Sequence, residues 1–212
     1  MTTETEIREE IAAYGRLVYA QGLVSGASGN LSARVDEDHI LITPGACHKG
    51  MLDPGDLLLY HMKTGQTVGE TRLKPSSEIR MHNFVYQHRP DVQAVIHAHP
   101  PYAVALSVAG VSLEALVLPE VVLSLGVIVD CGYATPATEK VVHAMKLPVH
   151  AGNNALILAR HGSVTFGKTL QEAFCRLEMV EHVAKVTAIA RSIDKLTPLP
   201  KKEIDQLKKL IS

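Results

Sequence analysis

The chain has no tryptophan, and aromatic residues make up only 4% of it. A stacking platform for single-stranded nucleic acid needs exposed rings, so that class of function is disfavoured. Neither sign of charge is in excess: 21 lysines and arginines face 22 aspartates and glutamates, for a net charge of -1. A duplex-binding surface carries a basic surplus, so no nucleic-acid partner is expected. No apolar run reaches the roughly 20 residues of a membrane-spanning helix, and no membrane partner is expected. The first ten residues are polar and acidic, unlike a secretory leader, which makes a cytoplasmic location the expectation. Cysteine is scarce. Cys47, Cys131 and Cys175 are an odd number without close pair spacing, so they imply no disulfide framework.

What is present is a hydrophobic share of 46% over 212 residues, which suits one domain with one sizeable core. No internal repeat or low-complexity segment interrupts it. Ile7, Ile11, Tyr14, Leu17 and Val18 recur at helical spacing and predict a helix to Ala20. Short strands are expected at 31–34, 39–42 and 57–61, with glycine-rich loops at 22–30 and 43–50 between them. Lys74-Pro-Ser-Ser77 opens a helix that runs to about Arg89, before Pro90. Strand-length apolar runs follow at 94–99, 127–131 and 155–160, with a helix over 102–109 between the first two. The longest helix is expected from Thr169 to about Ile193, with Phe174, Leu177, Val180, Val183 and Ile189 on its inner face. A Pro-Leu-Pro linker then leads to a lysine-rich final helix. The expected division is one α/β domain over 1–196, with a mixed, mainly antiparallel sheet covered by helices, and a mobile helical tail over 197–212.

Histidine is abundant, with 11 copies. His97 and His99 are two apart at the end of an apolar strand, so both project from one face and can converge on one ion. His161 stands at the end of another apolar run. Three imidazoles with one open position make a catalytic zinc arrangement, and they also suit cobalt, manganese or nickel. A lone histidine at a strand end is most often a hydrogen-bonded polar group. Spacing alone therefore supports the pair and leaves the third member open. The remaining histidines read as structural, His82 among them, although it could pair with Glu78 across one helical turn.

Ser76 and Ser77 can cap the first turn of the helix entered by Lys74-Pro-Ser-Ser-Glu78, where the dipole favours the Glu78 carboxylate or an anion. A plain cap with an acidic first turn explains the same residues. Gly26-Ala-Ser-Gly-Asn30 is a second candidate anion cradle, and Gly45, His48 and Lys49 offer a third. None of these loops is a Walker loop or a dinucleotide fingerprint, which disfavours an NAD-linked oxidoreductase.

Taken in order, Gly26-Ala-Ser-Gly-Asn-Leu-Ser32, Ile42-Thr-Pro44, Lys74-Pro-Ser-Ser-Glu78, Val95-Ile-His-Ala-His99 and Arg160-His-Gly162 resemble the class II aldolase/adducin family, especially its fuculose-phosphate-cleaving members. The resemblance covers about Ile7 to Ile193. It implies a three-layer α/β/α domain and a zinc ion (Zn2+) on His97, His99 and His161. It implies that Glu78 touches the metal in the empty enzyme and serves as the acid/base in turnover. Gly29, Asn30, Gly45, Ser76 and Ser77 are then the phosphate-binding residues, and a phosphorylated small sugar is the substrate. It further implies a homotetramer with interfacial active sites. The implied reaction is reversible aldol cleavage of a ketose 1-phosphate without a lysine Schiff base.

Departures from the family pattern are Ala27 for a threonine, Gly45-Ala46 for threonine-glycine, Leu118 near a tyrosine position, and Pro136 for an aromatic. They bear on the sugar more than on the chemistry. An epimerase, a dehydratase or a decarboxylase could use the same metal site, although the epimerase tends to carry aspartate where Glu78 stands. A non-catalytic adducin-like module is disfavoured because the three histidines and Glu78 are all present.

Overall fold

The computed structural model describes residues 3–210, so the outer bounds of the expected division, at residues 1 and 212, lie outside the described residues. One eight-stranded sheet carries the molecule, in the order β4-β3-β2-β1-β5-β8-β7-β6. Its strands are β1 (Asn30–Arg34), β2 (His39–Ile42), β3 (Leu58–His61), β4 (Gln66–Thr67), β5 (Ala94–Ala98), β6 (Ile128–Cys131), β7 (Ala155–Leu158) and β8 (Gly162–Gly167). Every neighbouring pair is antiparallel except β6 with β7. The sheet is therefore mixed and mainly antiparallel, as expected.

Helices cover both faces. On one side lie α2 (Ile79–His88) and α5 (Glu139–His150), whose Met81, Val85, Val141, Met145 and Val149 pack on Ile40, Val95, Leu156, Val164 and Phe166. On the other lie α1 (Glu4–Ala20) and α6 (Leu170–Ile193) over Leu31, Ala33, Leu41 and Ile96. There too α3 (Pro101–Val108) and α4 (Pro119–Ser124) pack over Ile128, Ala155 and Ile157. Strand residues alternate between the two layers because successive side chains point to opposite faces. Val95 and His97 thus face α2, while Ile96 and Ala98 face α6.

The helix starts have chemical causes. Thr3 and Glu6 form a reciprocal capping box at α1, and the Thr169 hydroxyl accepts the Glu172 N–H at α6. Glu181 of α6 accepts the N–H groups of Tyr102 and Ala103, holding the start of α3 directly after the His-x-His strand.

Several expectations need correction. Leu17 and Ile189 are exposed, at 45% and 47%. Their places on the inner stripes go to Gly15 in α1 and Thr187 in α6, which keep the three-to-four-residue spacing. The helix after Lys74 begins at Ile79, not at the serines, and ends at His88. The apolar run over 155–160 ends as a strand at Leu158. Ala159 to His161 form a hairpin turn into β8, with Arg160 at a positive φ of 60°. Pro148 lies inside α5 and hides that helix from a reading of the sequence. The tail does form a helix, α7 (Lys201–Lys208). Its linker is tied to the body by the Leu199 N–H, which donates to the Leu116 carbonyl.

Candidate metal centre and anion cradle

Four side chains from three places in the chain meet at one end of the sheet. His97 ends the inward row of β5, and His99 follows it just past the strand. His161 sits in the β7–β8 turn, and Glu78 is the residue before α2. One ligand atom from each lies within 4.8 Å of all the others. His99 Nε2 is 3.0 Å from His97 Nε2. The Glu78 carboxylate stands 3.2 Å from His97 Nε2 through one oxygen and 3.2 Å from His161 Nε2 through the other.

The backbone allows this approach at one critical place. A Cβ on Gly162 would overlap the Ala98 carbonyl and press on the rings of His97 and His99. Only glycine lets the β7–β8 turn bring His161 so close to β5.

The donor set suits a divalent cation. His97 Nδ1 lies 2.9 Å from the Ser163 carbonyl, which can only accept, so Nδ1 carries the proton. Its other ring nitrogen, Nε2, is the atom that faces the cluster. Glu78 Oε1 is buried and has no hydrogen-bond partner, and the same holds for His161 Nδ1. Three imidazole nitrogens and a buried carboxylate oxygen without a hydrogen-bond partner, converging at one point, are a donor set for a divalent cation.

The electrostatics agree. Burial alone would raise the Glu78 carboxyl. The hydrogen bond and charge of His97, the charge of His161 and the Asn30 amide outweigh it and hold Glu78 well below the usual carboxylate range. Burial and the neighbouring charges of His97 and His161 push His99 down to about 4. His161 is lowered too, by burial and then by His97. The directions favour an ionised Glu78 and neutral rings at His99 and His161, the forms that bind metal.

Beside the cluster lies a cavity of about 120 Å³, lined by Gly29, Asn30, Gly45, Ser76, Ser77, Glu78 and His99 among others. The structure thus brings together the four metal candidates with Gly29, Asn30, Gly45, Ser76 and Ser77, whereas Gly26, His48 and Lys49, also named as anion candidates, do not line the cavity. The two loops are stitched to each other: the Gly45 N–H donates to the Lys74 carbonyl at 2.9 Å, and the Ser76 N–H to the Thr43 carbonyl at 3.3 Å. Those two backbone donors are therefore already engaged. The Ser76 Oγ accepts the Glu78 N–H at 3.3 Å, which leaves its own proton for an anion. Gly29, at a positive φ of 72°, lies so close to the His97 carbonyl that a Cβ would collide with it.

Beneath the cradle the Lys49 side chain is buried, its ammonium donating to the carbonyls of Cys47 and Ala27. Burial lowers its pKa. Sequence reading placed Lys49 only as a loop candidate. It missed Ser32 and Tyr86, which join His82 in a buried network reaching Glu78. The available signal was the four-residue spacing of Glu78, His82 and Tyr86 along one helix face. The suggested pairing of His82 with Glu78 is indirect, because Asn30 stands between them.

With this fold and site, the chain belongs to the class II aldolase and adducin N-terminal domain family, whose model matches residues 9–188. It is 34% identical to the L-fuculose phosphate aldolase of Methanococcus vannielii over 179 residues, covering 84% of this chain and 94% of that one. It is 33% identical to the 3-oxo-tetronate 4-phosphate decarboxylase of Cupriavidus necator over 190 residues, covering 88% and 85%. A solved L-fuculose 1-phosphate aldolase superposes with a TM-score of 0.87 at 28% identity, covering 97% of this chain and 95% of that one. Among the described residues no helix is long and apolar enough to cross a membrane.

Proposed function

We propose that the protein is a zinc-dependent class II aldolase, an aldehyde-lyase. It reversibly cleaves a ketose 1-phosphate, such as L-fuculose 1-phosphate, into dihydroxyacetone phosphate and an aldehyde. The observation that carries this reading is the adjacency of the two sites. Glu78 and His99 belong both to the four-ligand cluster and to the wall of the cavity built by the glycine and serine loops. A phosphate seated there puts the first carbons of the sugar beside the cluster.

A divalent cation on Glu78, His97, His99 and His161 supplies Lewis-acid stabilisation of negative charge on substrate oxygens. The chain's own residues do the rest. The Ser76 and Ser77 hydroxyls, with Gly29, Asn30 and Gly45 shaping the loops, hold the phosphate. Glu78, held ionised, is the proton carrier. In condensation its carboxylate takes a proton from the carbon of dihydroxyacetone phosphate; in cleavage it gives that carbon a proton, replaced by the one the substrate hydroxyl releases as the aldehyde forms. His97 keeps its ring fixed through Ser163, so the geometry survives the transfer. The proposal includes a cytoplasmic homotetramer with interfacial active sites, built from a catalytic domain over 1–196 with an appended tail over 197–212.

The likeness to a decarboxylase makes decarboxylation of a 3-oxo acid phosphate the second reading. A substrate panel separates the two. Purified protein is offered ketose 1-phosphates, methylthioribulose 1-phosphate and 3-oxo-tetronate 4-phosphate, and aldehyde, water-loss product and carbon dioxide are each assayed. Aldehyde release that a chelator abolishes and zinc restores supports the aldolase. Glu78→Gln should retain one equivalent of zinc and lose most turnover. Full cleavage by metal-free protein, or carbon dioxide as the main product, overturns the proposal.

A further inference from the structure

The buried face between β1 and α2 carries polar side chains where a core would normally be apolar. Glu78, at the entry to α2, and His82 and Tyr86 within it are four apart and line one face of it. Asn30 and Ser32 are two apart along β1 and share the sheet face turned toward α2. Four residues of helix rise about 6.0 Å and two of strand about 6.7 Å, so the rows interdigitate in step. The resulting order is Glu78, Asn30, His82, Ser32, Tyr86. The Asn30 amide donates to Glu78 Oε2 at 2.9 Å, and Asn30 Oδ1 meets His82 Nε2. His82 Nδ1 is 2.6 Å from Ser32 Oγ, and Ser32 Oγ is 2.8 Å from the Tyr86 hydroxyl. His82 and Ser32 are fully buried, and Asn30 and Tyr86 are 2% exposed.

The sense of this chain follows from its first bond, in which the Asn30 nitrogen donates to a Glu78 oxygen at 2.9 Å. A carboxylate only accepts, so the Asn30 nitrogen must face it and the Asn30 oxygen must face His82. His82 then carries its proton on Nε2 and accepts at Nδ1 from the Ser32 hydroxyl, which accepts in turn from Tyr86. The protonation states permit this. Burial pushes His82 down to about 3, leaving it neutral with a single proton. Burial also raises Tyr86, so the phenol keeps its proton. Reversing the chain would set the Asn30 oxygen against the Glu78 carboxylate, two acceptors face to face.

We infer that His82, anchored by Ser32 and Tyr86, is a positioning residue that locks the Asn30 amide with its nitrogen toward Glu78 and so sets where that carboxylate stands between the metal cluster and the anion cradle. Asn30 also lines the cradle, so one amide borders both halves of the site. A purely apolar interface would pack α2 on β1 as well, but it would leave Glu78 Oε2 without its Asn30 donor. The inference rests on Glu78 as the working carboxylate of the proposed reaction.

The test uses the full-length protein with cobalt(II) as the metal probe. In the wild type, nitrogen-15 NMR of the His82 imidazole should show the proton on Nε2. His82→Leu should weaken cobalt binding by about 10- to 100-fold in chelator competition, shift the visible cobalt spectrum, and lower kcat with little change in KM. His82→Gln, whose amide nitrogen replaces Nε2 as donor to Asn30, should restore most of the affinity and turnover. Should His82→Leu fail to fold, Tyr86→Phe carries the test: it should bind cobalt several-fold more weakly and leave a mixture of His82 tautomers. Finding the proton on Nδ1 in the wild type overturns the inference. So does a His82→Leu protein that loses thermal stability alone while binding cobalt as the wild type does. If no ketose phosphate is cleaved, the aldolase reading fails while the NMR and cobalt results still decide this one.

Discussion

Acidification should destabilise the metal-free protein, and His82 should account for a defined part of the loss. In the unfolded chain this histidine titrates at its ordinary value of 6.5, and in the fold burial lowers it to about 3. As pH falls, the unfolded state takes up the proton first. The contribution of His82 is therefore complete above pH 6.5, declines between 6.5 and 3, and levels off below that. One proton corresponds to about 1.4 kcal/mol per pH unit, so the loss at pH 5 is about 2 kcal/mol. The ring is fully buried, so solvent screening does not reduce this figure. For a chain of this size it amounts to about 4–8 °C in Tm. The assay is urea unfolding with a chelator present, at pH 7 and pH 5, on the wild type and on His82→Gln. Every carboxylate and every other histidine is common to both proteins and cancels in the difference. The glutamine variant should lose about 2 kcal/mol less than the wild type. Equal losses in the two would refute the reasoning, because they would mean that His82 reaches solvent or binds a proton in the fold.

Three further expectations follow from single contacts. Gly162→Ala pushes a methyl into the Ala98 carbonyl and the rings of His97 and His99. It should cost about 1–3 kcal/mol of stability and, measured by chelator competition, should abolish tight zinc binding. Unchanged zinc affinity would show that the turn can shift without consequence. Ser77→Ala removes one hydroxyl from the cradle and should raise KM for a phosphorylated substrate by about tenfold, the value of one hydrogen bond to a charged group, with a smaller change in kcat. Thr169→Ala removes the cap of α6 and should lower unfolding free energy by about 1 kcal/mol while leaving turnover intact, which makes it a control for the others.

The candidate site was legible to an unusual degree because its parts are local. His97 and His99 share a strand face by period-two geometry. Ser76, Ser77 and Glu78 are contiguous at a helix entry, and Gly29-Asn30 sits at the mouth of a strand. The family pattern joined these fragments in order. Less was legible where a residue's role depends on what lies opposite. Leu17 and Ile189 fit a helical repeat yet face outward, since Gly15 and Thr187 hold the inner positions. Pro148 concealed α5 because proline breaks most helices. His161 stood at the end of an apolar run by sequence, but the run folds into a hairpin that carries it back onto β5.

Composition, periodicity and motif order determined by themselves that the fold is α/β, with a His-x-His strand and glycine- and serine-bearing loops. Those properties depend on neighbours a few residues away. Only the tertiary structure decided that Glu78, His97, His99 and His161 lie within 4.8 Å of one another and that Asn30 reaches Glu78 at 2.9 Å. It also decided that Lys49 and His82 are buried beneath and behind the site. These are contacts across tens of residues, fixed by strand register and by the one glycine that lets a turn close on a neighbouring strand. Local pattern placed each ligand on its element, and packing of the two helical layers against one sheet made them converge.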